Sequence, residues 1–370
     1  MIIEIINFDP EKDILSDNKI CALENLFLSY RERNHIVLCD RKALKALIES
    51  KTISAMAIST ISDIIRITRE INAIKNKFSV IARVDFSKTE YIFNEVENEQ
   101  NIINISYDFF EISARIQPSI LITENDLDFE LYNYITETYS KCDASLNVGL
   151  KIKKICGYGS HCYKVFKDHQ DDHQFAMCIV DCDRKYPDAQ LGSTAGQFKS
   201  DDLKVNGTVQ ANILNVREVE SLLPSDLIIE AIKEGDYPST MVDDFDKVER
   251  LNMASNQSFR KYFDHKDGIS LKQAISGKNA KYWKGFFSEE QRINIKDCYK
   301  TSICTNCDAC IKINGFGDKI LENTLSILKK KNKSLVRNNL SSTLRDDWDY
   351  IGRNIISWGC TPQGRRIRAS

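Results

Sequence analysis

The chain has little of what breaks or staples a fold: six prolines, fifteen glycines and no apolar run near the ~18 residues that a membrane span needs. Its first residues, MIIEIINFDPEKD, lack the basic stretch and small-residue cleavage site of a secretory signal. A cytoplasmic protein without a membrane partner is therefore expected. No G-x-x-x-x-G-K-[ST] occurs, so no P-loop ATPase is encoded here. There are five histidines, no internal repeat and no low-complexity segment, and the ordinary composition argues against wholesale disorder and collagen-like or coiled-coil architectures. Charge of one sign is also lacking overall, with 51 Lys and Arg against 53 Asp and Glu. What is present is a 370-residue chain with 42% hydrophobic residues, enough for two or three ordinary domains.

Organisation follows from periodicity. Up to about residue 115, HIVLC (35–39) and FSVIARVDF (78–86) read as strands, and 41–50 and 61–77 as helices, which together make an α/β unit. The acidic, Asn-rich stretch from Glu90 to Asn104 reads as a linker. From Pro118, the strand ILIT (120–123), a helix over 126–139, and the strand-like and glycine-containing runs at 150–160, 175–183 and 208–216 predict a parallel sheet covered by helices. After Pro224 the character turns helical, charged and aromatic. The expected division is residues 1–115, 119–228 and 229–370, with an N-terminal α/β domain, a central parallel sheet flanked by helices, and a mainly helical C-terminal region.

Three acidic motifs follow three of these strands: Glu124-Asn-Asp-Leu-Asp128, Asp181-Cys-Asp183 and Arg217-Glu-Val-Glu220. Parallel strands deliver their carboxyl ends to one edge, so the carboxylates converge. Crowded carboxylates repel unless a cation sits among them or some are protonated. Hard oxygen donors suit Mg²⁺ or Mn²⁺, and a pair of such ions supports phosphodiester cleavage. For Asp126 and Asp128, capping of the following helix is the competing role.

ILITENDLD and CIVDCD resemble the strand-Glu-x-x-x-Asp and strand-Asp-x-Asp motifs of the TOPRIM domain, with GYGS (157–160) where a glycine turn would lie. REVESLLP (217–224) is similar to the third acidic element of TOPRIM nucleases of the overcoming-lysogenisation-defect type and of related anti-phage effectors. The resemblance spans residues 119–226, with Asn125 where many TOPRIM sequences carry Gly. It implies a TOPRIM endonuclease using two Mg²⁺ or Mn²⁺ ions on a nucleic acid substrate. Glu124 would be the bridging or acid/base carboxylate, Asp181 and Asp183 metal ligands, and Asp128, Glu218 and Glu220 the remainder of the second site. Lys185 or Lys164 would stabilise charge on phosphate. An ATPase or sensor partner would act in trans. The rival reading is a non-catalytic nucleic-acid-binding or sensor protein with a degenerate TOPRIM domain.

Twelve cysteines without a secretory signal do not suggest a disulfide framework. Four of them, Cys298, Cys304, Cys307 and Cys310, could hold structural Zn²⁺, with Cys360 or His265 as further donors. Their C-x-x-C-x-x-C crowding also suits iron–sulfur ligation, and a reduced loop is the plainer alternative. Between Lys329 and Ser370 ten Lys and Arg face three Asp. Lys329, Lys330, Lys331 and Lys333 are candidate phosphate-backbone contacts, against a solvated helix end.

Overall fold

A computed structural model describes residues 1–143, 145–256, 258–276, 278, 280–290, 297–304 and 310–363. They form an α/β protein dividing into two compact units. The first comprises 1–179, 198–212 and 348–370, and the second 180–197 and 213–347.

In the first unit, short apolar runs become strands because β-branched side chains pack well on a pleated surface. β1 (Ile2–Ile6), β2 (Ile36–Leu38), β3 (Val80–Asp85), β4 (Ile92–Glu97) and β5 (Gln100–Ser106) form a sheet of order β2-β1-β3-β5-β4. It is parallel except for β4, which runs antiparallel to β5 along one edge. The stretch expected to be a linker is therefore a β-hairpin. Asn98 and Glu99 both take left-handed backbone conformations at its tip, the geometry that matches the twist of paired strands. Ile102, Ile103 and Ile105 are buried, while Glu95 and Glu97 charge the edge strand and discourage further pairing. The helix Arg41–Ser50 starts where Asp40 accepts from the Lys42 and Ala43 N–H groups. The longer helix Ala55–Ile74 buries Ile61, Ile64 and Ile71.

A second sheet is built from β6 (Ile120–Thr123), β8 (Lys153–Cys156), β9 (Ala176–Val180) and β10 (Val209–Ile213), in the order β10-β9-β6-β8. The short β7 (Gly149–Leu150) instead pairs with Cys360–Thr361. β6 pairs in parallel with β8 on one side and β9 on the other, with Thr123 opposite Cys156 and Ile179. Chain order thus reverses between β6 and β9, and the carboxyl ends of strands at such a switch point border the crevice where α/β sheets bind ligands.

The second unit is mainly helical, and its core is aromatic. Phe245, Phe259, Phe263, Phe316 and Trp283 are buried, in a mixture of edge-to-face, stacked and tilted contacts, and each contributes about 1.5–3 kcal/mol by burial. Gly268–Ser270 pairs antiparallel with Lys312–Asn314. Among the described residues no helix is long and apolar enough to cross a membrane.

Candidate metal-binding carboxylate site

In the first unit, Glu124 continues β6, a strand buried along its whole length. Its backbone is held firmly: the Gly157 N–H donates to the Thr123 carbonyl at 2.8 Å and the Cys156 thiol to the Glu124 carbonyl at 3.1 Å. A side chain on Gly157 would put its Cβ 2.2 Å from Cys162 Sγ and 2.7 Å from Cys162 Cα, so only glycine lets this turn close. The GYGS turn therefore follows β8 and leads into the helix Cys162–Asp171, beside the end of β6. Cys178 and Cys162 are fully buried. Burial pushes the Cys178 thiol well up, with Cys162 and the charge of Glu124 adding to the effect.

Asp128 is buried, and its Oδ2 accepts from the Asn125 N–H at 3.0 Å, the reciprocal half of a capping box on the helix Asp126–Cys142. Its capping role is thus realised in the structure. Asp126 pairs with Lys154 at 2.9 Å.

In the second unit, the segment from Val180 to Asp183 runs alongside 214–217. The Leu214 N–H donates to the Val180 carbonyl at 2.8 Å, Cys182 N–H to Val216 at 2.9 Å, and Asp183 N–H to Arg217 at 3.2 Å. This pairing brings Asp183 beside the Arg217–Glu218 step. Asp183 has a left-handed backbone (φ 52°). A Cβ on Gly192 would lie 2.2 Å from both Cβ and Oδ2 of Asp183, so the carboxylate rests on a bare backbone. Although the residue is solvent-accessible, loss of water around its carboxyl raises its pKa, against the opposing charges of Arg217, Lys266 and Lys185. The Lys185 carbonyl accepts from Trp283 Nε1 at 2.7 Å, which anchors the backbone and leaves the side chain exposed.

Glu218 and Glu220 are joined there by residues whose position the sequence did not reveal: Asp264, His265 and Lys266. Arg217 Nη2 lies 2.5 Å from Asp264 Oδ2, and Arg217 Nε lies 3.6 Å from Glu218 Oε1. Glu218 Oε2 accepts from the His265 N–H at 3.0 Å. Glu220, 2% exposed, has Lys266 Nζ at 3.4 Å. Burial, then the negative charges of Asp264 and Glu220, push the Glu218 carboxyl up to about 7, against Arg217 and the His265 N–H. Both ways of relieving carboxylate repulsion are in use here: neighbouring cations and a carboxyl that holds its proton.

Burial withdraws His265 well below the ordinary imidazole range, so it is neutral. Arg260 Nε–H donates to His265 Nε2 at 3.5 Å, which assigns the ring proton to Nδ1, 3.8 Å from Glu218 Oε2. Among the described residues no group of three or more His, Cys, Asp or Glu is arranged as a ready cage for a metal ion. Glu218 and Asp264 are oxygen donors partly withdrawn from water, and Arg217 lies beside both.

Of the cysteine cluster, Cys298 and Cys304 are half-buried and Cys310 is exposed, while Cys307 lies outside the described residues. His265 belongs to the Glu218 site, and Cys360 is buried in the first unit opposite Leu150. In the basic run, Lys329 and Lys330 are exposed and Lys331 pairs with Glu230 at 2.6 Å. Lys333 opens a helix whose N-cap is Asn332. Arg365, Arg366 and Arg368 lie outside the described residues.

Compared with known proteins, the chain matches no family model, no curated protein and no solved structure.

Proposed function

We propose that this protein is a divalent-metal-dependent nuclease of TOPRIM type, cleaving phosphodiester bonds of DNA or RNA. The observation that carries the reading is the register of β6 and β9. Thr123 pairs with Ile179 at the switch point of a parallel sheet, and Glu124 follows Thr123 directly. Glu124, Asp181 and Asp183 would hold Mg²⁺ or Mn²⁺, with Glu218 and Glu220 tuning the second position. The bound ions would supply charge stabilisation and an activated water. The protein's own contribution is to fix the carboxylates, and Lys185, Lys266 and Arg217 are the cations available to phosphate oxygens. The cellular setting, a phage-defence effector working with a partner in trans, comes from the resemblance alone.

A second reading, a nucleic-acid-binding protein without catalysis, is favoured by one feature: Arg217 and Lys266 already compensate the carboxylates. Incubation with plasmid, single-stranded DNA and tRNA separates the two. The nuclease reading expects cleavage with Mg²⁺ or Mn²⁺, none with chelator, and a loss on the order of 10²-fold or more in Glu124→Gln and Asp181→Asn. Binding without cleavage under every metal condition, or wild-type cleavage by both variants, supports the alternative.

A further inference from the structure

In the second unit, Glu218, Glu220 and Asp264 form the cluster that a two-ion mechanism would give to its second metal. What each oxygen already faces decides whether an ion fits there. Glu218 Oε1 lies 3.6 Å from Arg217 Nε, and its Oε2 accepts from the His265 N–H at 3.0 Å. Asp264 Oδ1 accepts from the N–H groups of Lys266 and Asp267 at 3.2 and 2.7 Å, and its Oδ2 from Arg217 Nη2 at 2.5 Å. Glu220 Oε1 has Lys266 Nζ at 3.4 Å. Each of these oxygens is turned toward a donor of the protein itself.

The arrangement is also pinned. The Arg217 N–H donates to the Lys261 carbonyl at 2.7 Å and its Nη1 to the Tyr262 carbonyl at 3.4 Å, so the guanidinium is held from its backbone and from its tip. Arginine keeps its charge at every pH at which proteins fold. A divalent ion on Glu218 or Asp264 would lie within a few ångströms of that fixed positive charge, with little water to screen the two. Glu220 is almost wholly buried, whereas a small hard ion keeps several of its waters and needs room for them. Charge balance agrees with geometry: Arg217 and Lys266 offset two of the three carboxyls, and Glu218 retains a proton up to about pH 7. The same two cations act on Asp183, so their charge reaches the edge of the proposed active site.

We infer that the Glu218–Glu220–Asp264 cluster takes no divalent ion, and that Arg217 and Lys266 supply there the positive charge a second ion would give. This rests on the nuclease reading and narrows it to one ion per chain, held by Glu124, Asp181 and Asp183. A guanidinium and an ammonium can offset charge developing on phosphate oxygens. They cannot acidify a water as a metal does, so that task stays with the single ion.

The test counts Mn²⁺ bound to the full chain at pH 8 by electron paramagnetic resonance, with cleavage assayed on the same samples. At that pH Glu218 has released its proton, so an open cluster would fill. Wild type should bind one Mn²⁺ with Kd below about 1 mM. Glu124→Gln should lose it, whereas Glu218→Gln and Glu220→Gln should keep it with Kd changed less than about twofold. Lys266→Met removes one cation from a half-exposed position and should admit a second, weaker Mn²⁺. Arg217→Met should do the same where it folds. Two Mn²⁺ on wild type, one of them lost in Glu218→Gln or Glu220→Gln, overturns the inference. So does an unchanged count in folded Lys266→Met, because the cation would then not be what keeps an ion out. Failure of the nuclease reading looks different: wild type would neither bind Mn²⁺ nor cleave, while a Mn²⁺ gained in Lys266→Met would still uphold the closed cluster.

Discussion

Arg217 Nη2 lies 2.5 Å from Asp264 Oδ2, and the same guanidinium faces Glu218 at 3.6 Å, so one cation serves two carboxylates 47 and one residues away in sequence. All three side chains are mostly buried, which makes the arginine costly to remove. Arg217→Met should destabilise the protein by about 3 kcal/mol at pH 8 and by less at pH 5, where Glu218 holds a proton. Urea unfolding at the two pH values measures this. Equal losses at both would mean that Arg217 acts through packing alone.

Glu218 gives the stability curve a definite sign. Its folded pKa of about 7 stands above the ordinary 4.5, so between those values the native state holds a proton that the unfolded state has released. The favourable contribution is complete below about pH 4.5, and it falls away as pH rises through 7, a loss of about 3 kcal/mol. Asp183, also raised, adds in the same direction. Glu218→Gln should flatten the fall and leave the variant more stable than wild type at pH 8. Unfolding free energies at intervals from pH 4.5 to 8 check it, and parallel curves for the two proteins would count against it.

Much of the local structure was readable from the sequence. The helix Arg41–Ser50 falls where its periodicity put it, and the apolar runs ILIT and AMCIV are buried strands. Glu124 and Asp181 follow those strands by covalent continuity, and that makes such positions legible. Asp264, His265 and Lys266 carry no such signal. They sit beside a short helix and meet Glu218 through contacts distant in sequence, such as the Arg217 N–H bond to the Lys261 carbonyl at 2.7 Å. The hairpin Ile92–Ser106 was missed because its acidic edge strand obscures the alternation, and its turn uses Asn98-Glu99 rather than a glycine pair.

Asp128 distinguishes a cap from a ligand. Its Oδ2 bond to the Asn125 N–H stabilises the first turn of the helix Asp126–Cys142, so Asp128→Ala should cost about 1 kcal/mol. Metal dependence of any cleavage should stay as in the wild type. A shift in the Mn²⁺ concentration for half-maximal activity, with stability unchanged, would instead make Asp128 a ligand.

Gly192 tests whether the position of Asp183 matters separately from its charge. The methyl group of an alanine would meet Asp183 Cβ and Oδ2 at 2.2 Å, and the left-handed backbone of Asp183 leaves that side chain little freedom to retreat. The Gly192 N–H bond to the Cys182 carbonyl at 3.0 Å ties the two backbones, so the strain falls on the carboxylate rather than on the fold. Gly192→Ala should therefore cost about 1–3 kcal/mol in stability and, if the proposed nuclease activity holds, lower cleavage at least tenfold, with the metal requirement moved to higher concentration. Asp183→Gly in the Gly192→Ala background removes both colliding atoms and suits the left-handed backbone there, so the double variant should regain stability without regaining cleavage. Recovery of cleavage in the double variant would show that the glycine serves the loop and not the carboxylate.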